Sequence, residues 1–256
     1  MRHRVAALVL AGGTIDPRLR AATGVSSRSL VPVAGRPMVA WVLDAIRASE
    51  AADWLVLVGA APPGQVLDRL VPDHGGFVEN LLAGVDACRG HDGVVVVSAD
   101  LPFLTPEAVR DTAEAALSLD AELVYPIVEV ERCYRSYPGM KRTTLRLREG
   151  VYTGGNAVFV RPELLARQRE RISAVYAARK SPLRLGLMVG PLTALRVIAA
   201  GLPVPPMLSL HGLEGAVSRL VGGRARALES PHASIATDVD RPEDLAIADR
   251  LLMTTD

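Results

Sequence analysis

Residues 5–13 read VAALVLAGG, and residues 29–38 read SLVPVAGRPM. Seven apolar or small side chains run without a polar interruption up to Gly12 and Gly13. Such a strand is too apolar for a sheet with one wet face, so it is expected in the middle of a parallel sheet covered by helices on both sides. Ligands of open α/β sheets sit beyond the carboxyl ends of the strands, where glycines let backbone N–H groups approach a phosphate with no Cβ between. Gly12 and Gly13, flanked by Leu10, Ala11 and Thr14, therefore become candidate phosphate-binding residues on a long loop. Pro37 suits the first turn of a helix predicted to run to about Ala48.

Residues 93–100, GVVVVSAD, form the second decisive stretch. Four consecutive valines belong in a central strand. That strand delivers Asp100 to the same crevice as the glycines, and magnesium is typically held by one or two carboxylates plus phosphate oxygens and waters. The helix start after it has its own signals in Thr105 and Pro106, so Asp100 is not needed as a cap. Further strands are expected at 54–58, 122–130, 157–160 and 224–228. Helices are expected at 78–88, 106–119, from Pro162, and from Gly212 to about Val221, where Gly222-Gly223 gives a stop signal. Strand and helix alternate through the first half, the pattern of a doubly wound α/β sheet.

LVLAGG, an arginine-bearing loop, SLVPVAGRPMV and SADLPF together resemble the MobA-like NTP transferases, nucleotidyltransferases of the nucleotide-diphospho-sugar transferase (GT-A-like) fold. The resemblance implies a mostly parallel mixed sheet in three α/β/α layers within one domain, 1–125 forming a nucleotide-binding half and 126–256 an acceptor-binding half. It implies a triphosphate on the glycine loop and a basic residue at the α-phosphate. That residue is usually lysine, and Arg28 stands in its place here; arginine and lysine are not interchangeable at a tight phosphate site. The chain has only two lysines, Lys141 and Lys180, against 27 arginines, so a general arginine preference accounts for the swap. Arg18 or Arg20 would serve as the loop arginine.

By the same resemblance Asp100 is a Mg²⁺ ligand and, with Arg18 and Arg28, part of the catalytic set. Gly75, Gly76 and Asn80 correspond to the segment over base and ribose, although Asn80 also reads as a solvated residue of a first helical turn. The ending DVDRPEDL offers Asp238 as a second metal ligand, while Asp240 is expected to cap the final helix with Glu243 as its partner. Thr153, Gly154, Gly155 and Asn156 match an acceptor-lining segment; without the resemblance they read as a bulge or hairpin turn.

Residues 131–150 carry six basic side chains, and TTLRLRE alternates as a half-exposed strand. Most of these charges read as solvated, with Lys141 or Arg142 free to contact an acceptor phosphate. Pro126 predicts an edge position or an interruption in its strand. A helical insertion is expected at about 162–201. Its apolar stretch 183–201 reads as buried core, a homodimer contact or an acceptor surface.

A net charge of +1 and 49% hydrophobic residues give no basic excess for nucleic acid or a membrane surface. Cys88 and Cys133 are isolated, with no ligand spacing for zinc or an iron–sulfur cluster, and a reducing cytoplasm is expected. MRHRVAALVLAGG lacks a cleavage site, so it is not read as a signal peptide, and no uncharged run is long enough to span a bilayer. The absence of G-x-G-x-x-G and the long loop argue against a dinucleotide-dependent oxidoreductase, and SADLP, where a glycosyltransferase would carry its D-x-D, lacks that motif, which argues against a glycosyltransferase. The expected activity is Mg²⁺-dependent transfer of a nucleoside monophosphate from an NTP, GTP among the candidates, to a small phosphorylated or hydroxyl acceptor. The alternative is a module of the same fold that binds a nucleotide without transferring it.

Overall fold

Strand β1 (Val5–Ala11) is the axis of a nine-stranded sheet. A computed structural model provides the fold and describes residues 3–178, 188 and 208–254. After a small antiparallel hairpin of β2 (Pro32–Val33) and β3 (Arg36–Pro37), the chain returns to the sheet. There β1 lies parallel between β4 (Trp54–Gly59) and β6 (Gly93–Ser98), and the short β5 (Arg69–Val71) extends the parallel edge beyond β4. Val5, Ala7, Val9 and Ala11 point into a core shared with α2 (Met38–Ser49) and α4 (Pro106–Ser118). Ala6 and Leu8 point the opposite way, into a core under α3 (Phe77–Asp86) and α6 (Pro162–Arg167). Both faces are covered, which is why β1 can be apolar throughout. The expected three-layer α/β/α arrangement is present.

Beyond β6 the sheet becomes mixed. β10 (Ala157–Val160) pairs antiparallel with β6 and with β7 (Leu123–Glu129), and β11 (Ala225–Glu229) runs parallel to β7 on its other side. β9 (Val151–Gly154) continues β10's line along β7 and carries β8 (Leu145–Arg146). Pro126 is therefore not on an edge; it marks an interruption. Residues 155–158 face only Tyr125 and Pro126, so the β9–β10 strand bulges there, and Gly155 N–H donates to the Pro126 carbonyl at 2.8 Å. A proline is tolerated inside the sheet because the ladder is already broken where its N–H is missing.

Three local expectations are corrected. The loop after β1 contains a helix, α1 (Pro17–Thr23): the Asp16 carboxylate accepts from the N–H groups of Arg18 and Leu19, and Gly24 closes the helix in the left-handed conformation. Asp-Pro at the start and glycine at the end are full helix signals. The basic stretch after residue 130 begins with a helix, α5 (Val130–Ser136), anchored by buried Val130 and Cys133, while the edge strand read in TTLRLRE is present over two residues as β8. The insertion breaks at Gln168, giving α6 and then α7 (Arg169–Ala178). The predicted second helix of the insertion, at 183–201, lies outside the described residues apart from Met188. α8 (Leu210–Val221) ends on left-handed Gly222, and α9 (Pro242–Met253) closes the chain's described part. Among the described residues no helix is long and apolar enough to cross a membrane.

Candidate active site

The carboxyl ends of β1 and β6 lie side by side, with the Ala99 N–H donating to the Leu10 carbonyl at 3.1 Å. Beyond β1, the glycine loop is moulded by a residue that sequence reading missed. Asp73 accepts from the Gly13 N–H (3.2 Å), the Gly75 N–H (2.8 Å) and the Asn80 side-chain amide (2.8 Å), and these bonds, Asn80's first, hold its carboxyl below the usual range. Asn80 is 3% exposed, and its carbonyl oxygen accepts from the His74 N–H at 2.7 Å. Its amide is therefore committed to the loop and is not a solvated residue of a helical turn. The signal for Asp73 was present in Asp-His-Gly-Gly, an aspartate that folds back on the N–H two residues on before glycines. Gly12 must be glycine for a spatial reason: a Cβ there would lie 2.5 Å from the Asn80 amide nitrogen and 2.8 Å from Asp73 Cγ.

The carboxylates are assembled by one backbone contact. Val239 is fully buried, and its N–H donates to the Asp100 carbonyl at 3.0 Å. In an extended segment side chains alternate, so with Val239 in the core its neighbours Asp238 and Asp240 turn to the opposite side, toward Asp100. Oxygens of Asp100, Asp238 and Asp240 lie within 4.8 Å of one another. Asp240 is thus a member of the cluster and not a helix cap. The α9 cap is Arg241, whose N–H is accepted by Asp244, and Glu243 pairs with Arg18. The D-V-D alternation around an apolar residue was the overlooked signal.

Two arginines face this cluster. Arg28, on a single 3₁₀ turn, places Nη1 3.0 Å from Asp100 Oδ2 and also bonds Asp240. Arg142 was read as a contact for an acceptor phosphate; its side chain is 4% exposed, and Nη1 donates to Asp238 Oδ1 at 2.9 Å. Burial pushes the Asp100 carboxyl up, against the opposing charge of Arg28. Asp238 is pushed up to about 7 by burial first, then by the charges of Asp100 and Asp240. Burial acts against the Arg28 charge, but the three aspartates outweigh it and raise its pKa. Asp100 Oδ1 is buried and has no hydrogen-bond partner among the described residues. An orphaned carboxylate oxygen beside two further carboxylates is the donor set of a hard divalent cation, so the residues fit a metal.

Two cavities meet at this point. One, of about 300 Å³, is lined by Leu10, Gly12, Arg28, Phe77, Gly155 and Asn156 among others. The other, of about 570 Å³, is lined by Lys141, Thr153, Gly154, Asn156, Asp238 and Asp240 among others. The bulge places Asn156 on both, held by its N–H to the Ile235 carbonyl (2.6 Å) and by its carbonyl accepting from the Ser98 N–H (3.1 Å). Residues 153–156 thus run from the end of β9 into the bulge and line the two cavities. Gly13, Thr14 and Gly75 are exposed on the loop, and Ala11 is buried behind it. Arg18 stands on α1 in an exposed ion pair with Glu243 of α9. Such a pair contributes little to stability, which leaves the guanidinium available to another anion.

Comparison with known proteins agrees with this fold. The profile of the MobA-like NTP transferase domain matches residues 7–181. A solved structure described as a hypothetical transferase from Thermus thermophilus shares 40% identity and a TM-score of 0.81, covering 94% of this chain and 99% of that one. The 3-deoxy-manno-octulosonate cytidylyltransferase of Rhodospirillum centenum is 31% identical over 161 residues, 57% of this chain. The molybdenum cofactor guanylyltransferase of Cupriavidus metallidurans is 31% identical over 134 residues, 49% of this chain. Each match spans 62% of the length of that curated relative.

Proposed function

The chain belongs to the family of MobA-like NTP transferase domains, and from that premise we propose that it transfers a nucleoside monophosphate from an NTP to a small acceptor, with Mg²⁺ and release of pyrophosphate. The observation that carries the reading is the three-aspartate cluster with its orphaned Asp100 oxygen, set between the glycine loop and a second cavity. Mg²⁺ held by Asp100 and Asp238, with Asp240 beside them, would neutralise charge on the triphosphate oxygens and on the departing pyrophosphate.

The protein's own groups do the positioning. N–H groups of Gly12 and Thr14 face the phosphates, while Asp73, which holds the Gly13 N–H, and Asn80 fix the curvature of that loop. Arg28 neutralises charge at the α-phosphate, and Arg18 does so farther out. The acceptor oxygen forms the new bond to the α-phosphorus as the bond to the bridging oxygen breaks, and the electron pair leaves with pyrophosphate. Asn156 and Thr153 orient the acceptor in the larger cavity, where Lys141 supplies a cation for an acidic group. Phosphoryl transfer needs little more from a protein than this alignment and charge neutralisation.

The test is to incubate the protein with each of ATP, GTP, CTP and UTP and a panel of phosphate monoesters, measuring pyrophosphate and orthophosphate. The expected result is pyrophosphate released in proportion to one acceptor and stopped by chelation. Release of orthophosphate without acceptor would place attack at the γ-phosphorus and contradict the reading. A second expectation concerns Gly12→Ala. Its Cβ cannot be accommodated without moving Asn80 or Asp73, so NTP affinity should fall by about ten- to a hundredfold, the scale set by a site shifted by about an ångström. Calorimetry on a variant with unchanged circular dichroism checks this, and undiminished affinity would remove the loop from the site.

A further inference from the structure

Arg28 and Arg142 both face the carboxylate cluster, yet they are held differently. Arg142 is 4% exposed, bonded to Asp238, and its remaining guanidinium nitrogens are buried. Parting it from Asp238 would leave a buried cation with no opposing charge, so it is a fixed counter-ion. Arg28 is 33% exposed and lines the cavity that contains Gly12. One of its nitrogens contacts both Asp100 and Asp240. Its guanidinium therefore touches the carboxylates on one side and opens on the glycine loop on the other.

This placement sets up a competition. Arg28 engages Oδ2 of Asp100 and one oxygen of Asp240, so its charge stands against the same carboxylates that a divalent cation would use. With Arg28 and Arg142 in place, three carboxylates are already offset by two guanidinium charges. A lone cation gains less there than at an open cluster. A triphosphate on the glycine loop offers Arg28 a stronger anionic partner, and its departure uncovers the carboxylates.

We infer that Arg28 is a displaceable counter-ion that keeps divalent cations off the carboxylates of the nucleotide-free protein, so that metal enters with the nucleotide. The inference rests on the proposed reading of Asp100, Asp238 and Asp240 as metal-binding. It gives Arg28 opposite effects on the two ligands: removing it strengthens binding of metal alone and weakens binding of nucleotide.

The test is Mn²⁺ binding to the full chain without nucleotide, read by the electron paramagnetic resonance of free Mn²⁺. Wild type, Arg28→Ala, Arg28→Gln and each of these with Asp100→Asn are compared, the glutamine variant preserving side-chain volume in case the alanine variant misfolds. Both Arg28 variants are expected to bind Mn²⁺ about tenfold or more tightly than wild type, as removal of an adjacent competing charge requires, and Asp100→Asn should abolish the gain. Equal affinity in wild type and Arg28 variants, with Asp100→Asn still weakening all three, would overturn the inference and leave the metal reading standing. Binding indifferent to Asp100→Asn in every background would overturn both.

Discussion

Asp100→Asn is expected to lower transfer by about 10²–10³-fold or more while the unfolding midpoint stays close to that of wild type. Asparagine matches aspartate in volume and leaves the backbone bond from Val239 to residue 100 in place. What it removes is the buried negative charge whose Oδ1 has no hydrogen-bond partner and whose Oδ2 faces Arg28. Burial already disfavours that charge, so its loss does not cost the fold a favourable solvation. The consequence falls on function. Pyrophosphate release and thermal unfolding of the same preparation separate the two effects, and full turnover in the variant would remove Asp100 from the mechanism.

Arg142→Ala is expected to act on the fold instead, destabilising it by about 3–5 kcal/mol in denaturant unfolding. The guanidinium lies almost wholly inside, and its partner Asp238 is 28% exposed and already burdened by two neighbouring carboxylates. Deleting the cation leaves Asp238 facing Asp100 and Asp240 with no opposing charge of its own. Replacing both members, Arg142→Met with Asp238→Asn, should recover most of the loss, because an apolar and neutral pair of similar volume avoids the uncompensated charge. A double variant no more stable than Arg142→Ala would show that Arg142 stabilises through packing and not through Asp238.

The two stretches VAALVLAGG and GVVVVSAD were legible because their physics is local. An apolar run without alternation has one comfortable place, a strand covered on both faces, and the residue that ends it is delivered to the crevice. That placed Asp100 in the crevice, and the resemblance of SADLPF supplied its expected role as a metal ligand. The Pro126 interruption, the Gly222 stop and the Thr105 cap were legible for the same reason. What could not be read along the chain were contacts between distant segments. Arg142 carries no sign that 96 residues later Asp238 will meet it, so it was read as free to contact an acceptor phosphate. Asp240 matched a cap pattern, and the competing fact was tertiary: Val239 hydrogen-bonds to residue 100 and turns both flanking aspartates the same way. Asp73 was passed over because its partners, Gly13 and Asn80, come from two different elements. The α1 helix had clear local signals in Asp16, Pro17 and Gly24, and the reading of the segment as a phosphate loop overrode them.

The central claim is that a nucleoside triphosphate and a divalent metal bind together at the glycine loop and the aspartate cluster. Calorimetric titration of ATP, GTP, CTP and UTP, each with and without Mg²⁺, into wild type and Asp100→Asn tests it most directly. The account predicts that one nucleotide binds in preference, that Mg²⁺ strengthens its binding, and that Asp100→Asn removes the strengthening. Failure of all four to bind, or binding indifferent to both Mg²⁺ and Asp100, would contradict it.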